Sequence, residues 1–189
     1  MKEKEQSEWL SWLKALIIAL FLVWLIRTFL VIPIEVDGPS MEPTLHNGDY
    51  LIAEKVSYRF SSPKRFDIVI FHATADKDYI KRIIGLPGEV VEYKDDKLYI
   101  NDQFIEEPYL SDHIAQLQSD TIYTVDFNLT EDIIGRHQTI PEGYYLVLGD
   151  NRSNSTDSRS DLVGLVSEDD IIGQARFIYW PFKRIRLVN

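Results

Sequence analysis

Two side chains in this sequence could together perform acid–base chemistry on a carbonyl group: the alcohol of Ser40 and the amine of Lys81. Ser40 lies in Gly38-Pro39-Ser40-Met41-Glu42-Pro43-Thr44-Leu45, where two prolines and a glycine bracket one serine in a rigid bend. Such a bend can hold a hydroxyl outward with backbone N–H groups beside it, as a serine nucleophile with an oxyanion site requires. An ordinary polar turn has the same local composition. Lys81 sits inside the apolar run Asp78-Tyr79-Ile80-Lys81-Arg82-Ile83-Ile84. In a strand it shares a face with Tyr79 and Ile83, whereas Ile80, Arg82 and Ile84 share the other. A lysine among apolar neighbours loses solvation, and lowering its pKa from about 10.4 to about 8 disfavours the charged form by about 3 kcal/mol. The neutral amine can then take a proton from a serine. An edge-strand lysine reaching water fits the same pattern.

Three further groups bear on chemistry. Gly149-Asp150-Asn151-Arg152-Ser153-Asn154-Ser155-Thr156-Asp157-Ser158-Arg159 is dense in hydroxyls, carboxylates and guanidiniums. It reads either as a solvated loop or as a self-braced loop supporting a site. His46, His72, His113 and His137 show no metal-ligand spacing, and no zinc or other cofactor is expected. His46 is near enough to Ser40 in sequence to be its base, but no local acid identifies itself as the orienting third member. The chain has no cysteine, which excludes a thiol nucleophile and a disulfide scaffold.

These residues must be held by the rest of the 189-residue chain, whose composition suits a folded domain. Its net charge of −10 makes nucleic acid a poor partner. Residues 1–34 carry four basic and three acidic side chains, so the remainder carries −11. The same boundary divides hydropathy. Ala15–Ile26 is unbroken apolar sequence, and Leu10–Ile32 would reach about 34 Å as a helix ended by Pro33, enough to cross a bilayer. Lys14 and Arg27 lie near opposite ends, with Trp9, Trp12 and Trp24 suited to the interfaces. No small-x-small cleavage site follows, and no polar face suits a helix lying on the surface. Lys2, Lys4 and Lys14 place the N-terminus in the cytoplasm. The expected organisation is a cytoplasmic 1–9, a transmembrane helix over 10–32 and an extracytoplasmic domain over 33–189.

That domain reads as mainly β. Short apolar runs such as Tyr50–Ala53, Asp67–Phe71, Tyr79–Leu86, Tyr144–Leu148 and Ile171–Trp180 alternate with turn signals, predicting antiparallel β-sheet or a small barrel. Lys97–Ile105 reads as a hairpin turning at Asn101-Asp102. The more polar Ser111–Arg136 suggests an inserted subdomain, about 94–140. The C-terminal Arg176–Arg186 mixes aromatic and basic side chains, as a closing strand or as a patch lying on a membrane surface.

Taken together and in order, Ser40-Met41-Glu42-Pro43-Thr44-Leu45, Gly48-Asp49-Tyr50, Tyr79 to Gly88, and Gly149-Asp150-Asn151-Arg152 with Asn154-Ser155 and Asp157-Ser158-Arg159 resemble the bacterial type I signal peptidases. The single short span resembles the Gram-positive form. This resemblance implies a membrane serine endopeptidase that removes signal peptides from secretory preproteins, close to the export machinery and the lipid bilayer. It implies Ser40 as nucleophile, Lys81 as general base, and Ser155 as the hydroxyl that orients Lys81. Asp157 and Arg159 would brace the loop. Backbone donors at Ser40 and Gly38 would hold the oxyanion, the latter position often being serine in the family. Val36, Met41, Leu45, Tyr79 and Ile80 would line shallow pockets for small residues one and three before the cut.

Overall fold

Ile68-Val69-Ile70-Phe71 is apolar at every position and buried at every position, the pattern of a strand covered on both faces. It forms the middle of a large antiparallel sheet. The computed structural model describes residues 2–74, 76–118, 121–133 and 135–188, without the side chains of 2–8, 26–29 and 59. Helix α1 (Lys2–Phe29) leads into strands β1 (Val31–Glu35), β2 (Tyr50–Glu54), β3 (Ile68–Thr74) and β4 (Lys77–Gly85). Next come β5 (Val91–Lys94), β6 (Lys97–Ile100), β7 (Gln103–Ile105), helix α2 (Pro108–Ile114) and β8 (Phe127–Asn128). The chain closes with β9 (Tyr144–Leu148), β10 (Val166–Ser167), β11 (Ile171–Trp180) and β12 (Arg186–Leu187).

The larger sheet runs β1-β2-β11-β3-β4-β9-β10, with β12 also pairing β11, and the smaller runs β7-β6-β5-β8. Every ladder is antiparallel. Both sheets are open, so of the two expected β architectures the closed barrel is not the one formed. The hairpin of β6 and β7 turns at Asn101 and Asp102, both with positive φ. Two residues in that conformation match the right-handed twist of the flanking strands.

Three apolar clusters hold these layers. Val36, Met41, Leu45, Leu51, Ile68 and Ile70 pack on one side of the large sheet. Val69, Phe71, Ile83, Tyr145 and Val147 pack on the other. Ile84, Leu146 and Leu148 join the large sheet to Val91, Tyr93, Leu98 and Phe127 of the small one. Each fully buried side chain of this kind contributes about 1.5–3 kcal/mol.

The N-terminal segment departs from expectation at its end. The helix stops at Phe29 and Pro33 lies within β1, opposite Ile52. As an end strand, β1 tolerates a residue without an N–H. Among the described residues no helix is long and apolar enough to cross a membrane. Large apolar side chains from Trp9 to Trp24 are nonetheless exposed along α1. Lys2, Lys4 and Arg27 lie outside the described side chains.

Candidate active site

Two strands bring the amine and the alcohol together. β4 is exposed at its start and buried from Lys81 onward, so Lys81 stands where the strand enters the core. The chain leaving β1 turns at Gly38 (φ +92°), and Met41 and Leu45 drop into the core at 1% and 0% exposure. Leu45 N–H donates to Met41 O and Glu42 N–H to Pro39 O, fixing the bend around Ser40. The Lys81 amine lies 2.8 Å from Ser40 Oγ and 3.0 Å from Ile80 O. Lys81 is 3% exposed. Burial lowers its pKa to about 8, against the opposing negative charges of Asp157 and Asp150.

The loop after β9 is tied to the serine bend. Asn151 N–H donates to Ser40 O at 3.0 Å and Asn151 Nδ2 to Pro39 O at 3.2 Å. Arg159 forks onto both oxygens of Asp157 at 2.8 Å, and Asp157 Oδ2 also accepts the Gly149 N–H at 2.9 Å. Sequence reasoning missed a second buried pair. Arg82, beside Lys81 but on the opposite face, donates Nε and Nη2 to Asp150 at 2.9 and 2.8 Å. Thr44 Oγ1 donates to the same carboxylate at 2.5 Å. One carboxylate thus links the lysine strand, the serine bend and the loop. A charged side chain sharing a strand face with Ile80 and Ile84 was the available signal.

Gly149 was also missed as a site residue. A Cβ there would lie 2.2 Å from Ser155 Oγ and 2.5 Å from Ser40 O. Its missing side chain lets the loop and the serine bend meet.

Two expectations differ from the geometry. Among the described residues Ser155 Oγ is buried without a hydrogen-bond partner, so the expected bond to Lys81 is not formed; the amine is engaged by Ser40 Oγ and Ile80 O instead. The Gly38 N–H, expected at the oxyanion, donates to Asn47 Oδ1 at 2.8 Å. Asn47 is nine residues along the same loop and claims it first.

A cleft of about 760 Å³ runs past Ser40 and Lys81, lined by Val36, Met41, Tyr79, Ile80 and Ser155 among others. Leu45 is absent from this lining and packs beneath it in the core. Residues 32–37 form one wall and Asp78–Lys81 another. Among the described residues β1 pairs with β2 alone, and β4 meets β9 only from Arg82 onward. Both walls therefore offer open strand edges, to which an extended peptide can add by main-chain hydrogen bonds. His46 lies 3.6 Å from Glu42, and His72 pairs with Asp78 at 2.7 Å. Among the described residues no group of three or more metal-ligating side chains is assembled.

An alcohol against a desolvated amine, beside a groove shaped for extended chain, is the equipment of a hydrolase acting on peptides. A family profile described as "Signal peptidase, peptidase S26" matches residues 9–180. The signal peptidase I T of Bacillus subtilis (strain 168) is 43% identical over 185 residues, 97% of this chain and 92% of the relative. The signal peptidase IB of Staphylococcus aureus is 38% identical over 183 residues, 96% and 94% of the two chains. A crystal structure of a signal peptidase I from Enterococcus faecalis V583 superimposes with a TM-score of 0.55 at 43% identity, covering 60% of this chain and 97% of that one. The chain belongs to the signal peptidase family, peptidase S26, and is a peptide-bond hydrolase.

Proposed function

We propose that this chain is a single-pass membrane serine endopeptidase that cleaves signal peptides from secretory preproteins with a Ser40/Lys81 dyad. The observation that carries the reading is the 2.8 Å approach of a buried lysine amine to a serine hydroxyl. Neutral Lys81 accepts the Ser40 proton as Oγ bonds to the carbonyl carbon of the residue before the cut. The resulting ammonium gives that proton to the leaving amine as the C–N bond breaks, and an acyl-enzyme remains. Lys81 then takes a proton from water as it attacks the ester carbon, and gives that proton to Ser40 Oγ as the C–O bond breaks, which restores the hydroxyl and the neutral amine. The Ser40 N–H meets the oxyanion first; the Gly38 N–H joins only by leaving Asn47. Ser155 Oγ, buried and unpartnered among the described residues, would engage the amine once Lys81 moves in the cycle. Asp157 and Arg159 brace the loop that carries it.

Val36, Met41, Tyr79 and Ile80 line the cleft, and in this reading they select small residues one and three before the cut by excluding bulk. Leu45 acts from below as support for Met41. In this reading helix α1 anchors the domain in the cell membrane from a cytoplasmic N-terminus, supported by the unbroken apolar sequence Ala15–Ile26 and by Trp9, Trp12 and Lys14 before it. The domain from 33 onward then stands outside, near the export machinery, where a signal peptide's apolar segment ends. The test is incubation of detergent-solubilised protein with a synthetic preprotein and mapping of the cut by mass. Cleavage after a small residue, lost in folded Ser40→Ala and Lys81→Ala proteins, is expected. Substantial cleavage by folded Lys81→Ala would remove the general-base assignment.

A further inference from the structure

The mechanism uses nothing from the smaller sheet, yet that unit grips the active-site loop through one buried ion pair. Arg152 follows Asn151, whose N–H holds Ser40 O. Its side chain is fully buried, and that of Glu107, between β7 and α2, is 11% exposed. Arg152 Nη2 lies 2.5 Å from Glu107 Oε1, and Nη1 reaches Oε2 at 3.4 Å. The remaining donors are taken as well. Nη1 bonds Tyr93 Oη at 2.8 Å and Thr124 Oγ1 at 3.1 Å, and Nε bonds Gly149 O at 3.1 Å. Glu107 Oε1 accepts from the hydroxyls of Tyr93 and Tyr109, which hold it in place from both sides.

We propose that Glu107 is a positioning residue for catalysis, acting through Arg152 to fix the Gly149–Ser155 loop against Ser40. The inference rests on the functional reading above. Its path is continuous. Glu107 holds the guanidinium, the guanidinium holds Gly149 O, and Arg152 O accepts from Arg159, which holds Asp157. Gly149 in turn lies where even a Cβ would collide with both Ser155 Oγ and Ser40 O. Glu107 reaches neither the cleft nor the reacting atoms, so its effect belongs to turnover and not to substrate binding. Neutralising it leaves a buried cation uncompensated, and the cheapest relief is a shift of the loop that brings Arg152 toward water.

The experiment compares wild type, Glu107→Gln, Glu107→Asp, Arg152→Lys and the Glu107→Gln/Arg152→Lys double variant, as full-length protein in detergent on one synthetic preprotein. Glu107→Gln should lower kcat by roughly tenfold or more with KM nearly unchanged, because a loop displaced by a fraction of an ångström misaligns the dyad. Glu107→Asp, which keeps the charge, should recover part of the loss. The double variant should lose no more than the worse single change. A folded Glu107→Gln protein with wild-type kcat, a loss confined to KM, or losses that multiply in the double variant would each overturn the proposal. If Glu107→Gln does not fold, Tyr109→Phe decides. It removes one hydrogen bond to the carboxylate and the one that Tyr109 Oη accepts from Arg152 Nη2 at 3.0 Å, while keeping the ring that lies 3.8 Å from the Arg82 guanidinium. A fall in kcat at constant KM supports the proposal, and unchanged kcat refutes it. The functional reading is decided separately, by wild type against Ser40→Ala.

Discussion

Replacing Gly149 by alanine should disable turnover while leaving the molecule folded. Gly149 is not among the residues with positive φ, so an alanine backbone fits there without strain. The obstacle is space. The new methyl would stand 2.2 Å from Ser155 Oγ, 2.6 Å from Ser155 Cβ and 2.5 Å from Ser40 O. Ordinary contact begins near 3.5 Å, so the loop and the serine bend must separate by about 1 Å. The Ser40 carbonyl is also the acceptor for Asn151 N–H, so the separation breaks the tie between loop and bend. A displacement of that size costs about a hundredfold in rate, whereas overpacking of this kind costs only about 1–3 kcal/mol of stability. The assay is kcat on a synthetic preprotein, with thermal unfolding of the same sample. Gly143→Ala is the control. Gly143 has φ +75° and a Cβ there would meet nothing within 4 Å, so alanine should lower stability and leave kcat alone. A folded Gly149→Ala enzyme turning over at close to the wild-type rate would refute this reading of the junction.

Other outcomes follow from the same geometry. Below pH about 8 the activity kcat/KM should climb about tenfold per pH unit and then level off, as the neutral fraction of Lys81 does. The stability effect runs with it: the folded pKa lies below the unfolded one, so the desolvation penalty, about 3 kcal/mol, is full below pH 8 and fades as pH rises toward 10.5. Lys81→Met should therefore melt above wild type at pH 7, with the gap closing toward pH 10.5 in scans across that range. Asp150→Asn removes the charge facing Arg82, at 1% and 0% side-chain exposure, and should destabilise by about 3–5 kcal/mol in urea titrations. Asp157→Asn, which takes the fork from Arg159, should reduce kcat more than it raises KM in steady-state assays.

The strands were legible because their central residues are apolar on both faces or alternate cleanly. The hairpin at Asn101-Asp102 was legible because only a tight turn tolerates that dipeptide between two such runs. The choice between open sheet and barrel was not, since closure depends on whether end strands meet, and here β1 and β10 lie at opposite ends of the ladder. Pro33 suggested a helix end, but an end strand accommodates it equally well. At the site, Ser40 and Lys81 announced themselves by unusual surroundings: a hydroxyl in a proline-framed bend and an amine in an apolar strand. Glu107 did not. It lies in an unremarkable polar segment, and its partner Arg152 is 45 residues away. Pairings of that range are set by how two sheets dock, which no local pattern encodes. Gly149 gave no signal beyond its place at the start of a polar loop, because its role is a steric vacancy defined by neighbours from elsewhere in the chain.

Catalysis by the Ser40/Lys81 pair requires a neutral amine at Lys81. Selective 15N or 13C labelling of lysine, with NMR titration of full-length protein in detergent and Lys81→Met to assign the signal, measures this directly. A midpoint near pH 8 is the expected result. A Lys81 signal that stays protonated up to the pH where exposed lysines titrate, near 10.4, would contradict it.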